Sequence, residues 1–211
     1  MKKNRSYYGA IILFIASSVY IMISYIIKQS YVRALLGLVT LAFLLICPIA
    51  EKILRVKINE TTRTFVVLFS VLAFNVGTVL EWYTRYEYYS FFVHGISGIL
   101  FTQIGFYIYF IVTGKKEVDL KKNWILALTY AVFFTMTVAV AWEIVEYFIY
   151  LTTGRDVQHV LDTGIHDTML DLISCAVGSI FIILNFLLYI WKGKQSFFVR
   201  MISEFYDNNK V

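Results

Sequence analysis

Six long apolar segments alternate with short polar connections along this chain, at residues 9–27, 31–50, 64–83, 91–112, 124–150 and 167–191. Each is close to the roughly 20 residues that a helix needs to cross a hydrocarbon layer. Backbone N–H and C=O groups find no partners in hydrocarbon, so segments of this kind are expected as helices. The short alternating runs of a membrane barrel do not occur. The pattern predicts an all-α, polytopic membrane helix bundle with six transmembrane helices, forming a single integral membrane domain over 1–211. After the last span, Phe197, Phe198, Met201, Ile202 and Phe205 recur at helical spacing opposite Arg200, Ser203 and Glu204. That spacing predicts a cytoplasmic tail, 192–211, carrying a helix that lies on the inner leaflet.

Charge orients the bundle. Threading the six segments places 15 of the 19 Lys and Arg on one side, in clusters around Lys2, Lys3 and Arg5; Lys52, Arg55, Lys57 and Arg63; Lys115, Lys116, Lys121 and Lys122; and Lys192, Lys194, Arg200 and Lys210. Only Lys28, Arg33, Arg85 and Arg155 fall on the other. This bias predicts that both termini are cytoplasmic. The net charge of +5 does not point to nucleic acid, because the basic residues flank spans instead of forming one patch. The expected partner is the lipid bilayer.

With 59% hydrophobic residues and one proline, the chain leaves no room for a separate water-soluble domain. The first apolar segment is longer than a signal-peptide core and no clean cleavage site follows, so it is read as an uncleaved span. Cys47 and Cys175 lie in different apolar segments and are expected as packing residues, not as a disulfide. Trp82, Tyr83, Tyr86, Tyr88, Tyr89, Tyr147 and Tyr150 fall where an interfacial aromatic belt belongs.

All three histidines and eight of the fourteen acids then collect at the outer ends of the last four spans. At about 1.5 Å per residue, Glu143 lies about 28 Å into the fifth span, near the outer hydrocarbon edge. His94 and Asp167 sit within one turn of the same edge, and Asp171 about 6 Å deeper. Glu143 and Glu146, three apart, share a helix face, as do Asp167 and Asp171, four apart. Ser174 and Gly178 continue the Asp face, and Gly98 follows His94 by one turn, which are positions for close helix approach. Glu81, Glu87 and Asp156 are read as solvated rim residues, and Asn75, Gln103, Thr135 and Thr137 as bonds between helices. Carboxylates gathered in one low-dielectric layer need shared protons, a bound cation, or Arg85 and Arg155 folded over them. A histidine with carboxylates suits a divalent metal ion, and suits a proton relay equally. The candidate set is His94, Glu143, Glu146, Asp167 and Asp171.

Three blocks in this region resemble the YjdF-like family of bacterial inner-membrane proteins. They are His94-Gly95-Ile96-Ser97-Gly98, Glu143-Ile144-Val145-Glu146 after Trp142, and Asp167-Thr168-Met169-Leu170-Asp171-Leu172 running on to Gly178. A more distant likeness joins the chain to VanZ-like membrane proteins. The resemblance implies a six-span protein of the bacterial plasma membrane with these site residues, and implies no chemistry. The family commonly has an acid one turn before the histidine, where this chain has Ser90.

Three functions stay open at this level. The first is an outward-facing site for a divalent cation that acts on a lipid or envelope precursor, with Glu143 or Glu146 as general base. The second is a small proton- or cation-coupled transporter, against which the apolar inner half of the spans argues. The third is a non-catalytic envelope or regulatory protein whose polar cluster fixes helix packing.

Overall fold

The computed structural model describes residues 5–86, 88–114 and 120–210. Lys2, Lys3, Lys115, Lys116 and Glu87, used above for orientation and as a rim acid, lie outside them. Among the described residues there is no strand, and six helices are long and apolar enough to span a membrane. These are α1 (Arg5–Ile27), α2 (Tyr31–Leu54), α3 (Glu60–Val79), α4 (Tyr89–Val112), α5 (Trp124–Thr153) and α6 (His166–Lys192). A shorter helix, α7 (Phe197–Asn209), follows. The chain divides into two compact units, Met1–Val93 with Asp207–Asn209, and His94–Tyr206 with Lys210–Val211.

In the first unit, α1 buries Ala10, Phe14, Ser18, Ile21 and Tyr25, a stripe at three- and four-residue intervals. Phe14 packs with Val67 and Val71 of α3. Gly37 lets α2 come close to α1, because a Cβ there would lie 2.6 Å from Cγ2 of Ile21. The middle of α2 tightens to a 3-10 turn over Thr40–Leu45. Pro48 explains it: proline offers no N–H to the Leu44 carbonyl, and its ring crowds that group. Asn59 caps α3 by accepting from the Thr62 N–H at 2.9 Å.

The last part of α3, Val71–Val79, widens into a π-helix. Asn75 lies within it, fully buried, and donates to Ser17 Oγ at 2.7 Å and Ser18 Oγ at 3.0 Å. Two tyrosine hydroxyls tie down carbonyls of this stretch, Tyr89 to Leu72 and Tyr25 to Val79. The helix stops at Val79, short of the expected residue 83, because Glu81 takes a left-handed φ of 62°. Tyr89 is therefore a packing residue, 9% exposed, and not part of a lipid-facing belt.

In the second unit, α5 buries Ala127, Ala131, Thr135, Ala139 and Glu143, one residue every four. Four small or hydroxylated side chains thus lead straight up to an acid. Close contact between α4 and α6 rests on glycines. A Cβ on Gly98 would fall 2.0 Å from the Cys175 carbonyl oxygen, and one on Gly178 equally close to that of Gly95. Hydroxyls join the three helices: Thr102 Oγ1 lies 3.0 Å from Thr135 Oγ1 and 2.9 Å from Ser179 Oγ. The sequence reading of Thr135 as an interhelical bond holds here.

The tail helix packs its apolar face on the protein. Val199, Met201, Ile202 and Phe205 of α7 are 0–3% exposed. Phe205 stacks on Tyr107, the Tyr206 hydroxyl donates to the Phe106 carbonyl at 2.8 Å, and Gln103 donates to the Phe198 carbonyl. The same amphipathic face suits lipid and protein, and spacing alone does not choose between them. Burial raises the Tyr206 pKa above the usual phenol range, so its hydroxyl stays a donor.

Candidate functional site

Three helices of the second unit carry the cluster. His94 stands beside Gly95, at the point where α4 touches α6, so the close backbone approach sets its distance to Asp171. His94 Nε2 and Asp171 Oδ2 are 3.3 Å apart, with side chains 12% and 4% exposed. Glu143 ends the small-residue stripe of α5 and is 7% exposed. One ligand atom from each of His94, Glu143 and Asp171 lies within 4.8 Å of the other two. At that spacing the three atoms need close by only a few tenths of an ångström for one cation to bond to all of them at about 2.0–2.4 Å.

The two oxygens of Glu143 have different surroundings. Oε2 accepts a hydrogen bond from Gln158 Nε2 at 2.9 Å, and the same amide donates to the Glu143 backbone carbonyl. Oε1 is buried and lacks a partner in good hydrogen-bond geometry, with the Thr168 hydroxyl beside the carboxyl group. A buried carboxylate oxygen left without a full partner costs about 1–3 kcal/mol. The connection that delivers Gln158 is itself ordered. Gly154 ends α5 at φ 68°, and Asp156 accepts from the Val160 and Leu161 N–H groups at 3.0 and 2.8 Å. Asp156, expected as a solvated rim acid, is thus a half-buried cap.

Of the five expected residues, three form the tight group and two flank it. Glu146 accepts from Trp142 Nε1 at 2.9 Å, one turn away on its own helix. Asp167 has His159, Asp156 and His166 as ionisable neighbours, and lies near Glu143 and Glu146. Below the cluster, Ser97 donates to the His94 carbonyl at 2.7 Å and approaches Cys175 Sγ at 3.7 Å. Cys47 and Cys175 are both free thiols. Gln158 escaped the sequence reading, because nothing in its composition distinguishes a loop glutamine that folds back from one in water. Arg85 and Glu81 belong to the first unit, where Glu81 pairs with Arg33 and Arg85 instead of standing solvated.

These features define a polytopic helical membrane protein with a buried His–Glu–Asp cluster on three neighbouring spans. The chain belongs to the family described as predicted membrane protein (DUF2238), which matches residues 9–192. No curated protein and no solved structure matches it.

Proposed function

We propose that this protein binds a divalent cation through His94, Glu143 and Asp171, and that the cation engages a phosphate-bearing lipid or envelope precursor. The observation that carries the reading is the buried Glu143 carboxyl group, one oxygen of which lacks a hydrogen-bond partner, within reach of a histidine nitrogen and a second carboxylate. A cation would supply the missing partner and neutralise the paired acids. Bound there, it would polarise a phosphate oxygen. Glu146, held by Trp142 beside the group, is the carboxylate placed to take a proton, and Asp167 adds negative charge at the rim. The YjdF-like motif order agrees with this choice of residues, and the alternation of basic clusters supports a site on the outer side with both termini cytoplasmic.

Metal analysis of the purified, full-length protein tests the reading. About one equivalent of a divalent ion is expected, with a fall in thermal stability on chelation. A metal-free protein that chelator leaves unchanged rejects it. Orientation has its own check: a reporter inserted after Arg155 is expected to label from outside intact cells, and protection there reverses the topology.

A second reading, a proton- or cation-coupled carrier, draws on one observation. Polar groups continue inward from the cluster through Ser97 and the Thr102–Thr135–Ser179 node to Gln103, whose Oε1 is buried without a partner. Uptake in vesicles that depends on a proton or cation gradient separates this reading from the first.

A further inference from the structure

The first unit holds a cleft of about 330 Å³ lined by Tyr20, Ser24, Tyr25, Lys28, Trp82 and Arg85 among others. It opens where α1 ends and the one-turn helix Trp82–Arg85 begins. Three of the four basic residues that break the charge bias meet around it. Lys28 and Arg33 each stand 5.6 Å from the centre of the Tyr25 ring, and Arg33 and Arg85 share the single carboxylate of Glu81. Three cations against one acid leave an excess of +2 (3 − 1) among the described residues. The salt bridges there give Lys28 no carboxylate, and Arg85 is 60% exposed.

The backbone around the cleft is held in conformations that side chains resist. Gln29, next to Lys28, has φ 56°, and Glu81, between Leu80 and Trp82, has φ 62°. Each costs roughly 1–2 kcal/mol in a residue other than glycine. Such cost is tolerated where the turn must aim particular side chains, here Lys28 at one edge and the Glu81–Arg85 pair at the other. The remaining walls are apolar and aromatic, with Ile27 and Tyr20 exposed.

We propose that this cleft is an anion site for a phosphate group, with Lys28 and Arg85 as its charged contacts, Ser24 and the Trp82 indole as neutral donors, and Ile27 and Tyr20 beside an attached acyl or prenyl chain. The excess positive charge selects an anion. A flexible ammonium and a forked guanidinium on opposite edges suit the oxygens of a phosphate. The aromatic and aliphatic walls suit a headgroup at the membrane surface. The proposal does not depend on the cation site, which lies on the other unit.

The test uses the full-length protein in nanodiscs of phosphatidylcholine, with phosphatidylglycerol or inorganic phosphate as the probe. Native mass spectrometry is expected to show retained phosphatidylglycerol in the wild type. Lys28→Gln/Arg85→Gln is expected to weaken retention about 25-fold, roughly fivefold per basic residue at a membrane surface. Lys28→Gln alone, a change at an exposed side chain, is expected to show the fivefold step even where the double variant fails to fold. Arg155→Gln, equally exposed, is expected to change nothing. Displacement by millimolar inorganic phosphate identifies free phosphate as the source, and retention of the lipid alone identifies the headgroup. Equal retention of both lipids by the wild type with no phosphate binding, or wild-type retention by Lys28→Gln, overturns the proposal.

Discussion

Gly98→Ala is expected to be destabilised by about 3 kcal/mol, the upper part of the usual range for overpacking. The added methyl would sit 2.0 Å from the Cys175 carbonyl oxygen and 2.8 Å from its carbon. Both are main-chain atoms, so no side chain can rotate out of the way, and α4 must move off α6. The movement also separates His94 from Asp171, so any cation bound between them weakens in parallel. Gly9→Ala is the matched control, since nothing lies within 4 Å of its new Cβ. There the better helix propensity of alanine should leave stability equal or up to about 1 kcal/mol higher. Denaturant unfolding in detergent compares the two. If Gly98→Ala unfolds with Gly9→Ala, the helix contact has been misjudged.

The second large effect concerns the acids of the cluster. Glu143→Gln and Asp171→Asn are each expected to weaken divalent-ion binding more than about 100-fold, beyond the 10–100-fold usual for groups that only support a ligand. Both replacements keep shape and remove charge. Without cation, Glu143→Gln should be no less stable than the wild type, because the amide keeps the shape of a carboxyl group that is costly to bury in its charged form. With cation at 100 times its dissociation constant, the wild type should gain about 2.7 kcal/mol and the variants almost nothing. Titration calorimetry with unfolding at fixed ion concentration reads both quantities. Variants that lose stability in the absence of any ion, while ions never stabilise the wild type, would mark the cluster as a packing device.

The fold was legible because hydrocarbon leaves little choice. Apolar runs of span length must become helices, and their centres agree with α1 to α6 although several ends shift. Much of the site was legible for a related reason. Residues at three- and four-residue spacing share a face, so Glu143 follows Ala139 and Thr135 into the interior, and Asp171 follows Ser174 and Gly178. Sequence spacing could not separate Glu143 from Glu146, one turn apart, because burial depends on where a neighbouring helix lies. It was also silent on the π-helix around Asn75, which is held by tyrosines from other elements. The packing of the tail was not legible, because its partner is a distant stretch of the same chain.

The Gln158 amide has a consequence for how the cluster is occupied. Gln158 belongs to the connection between α5 and α6, and it takes up one oxygen of Glu143. With the connection folded down, that carboxylate has a single oxygen to give. A cation bound as proposed would therefore meet a monodentate Glu143, and Gln158→Ala would leave both oxygens of that carboxylate open to it.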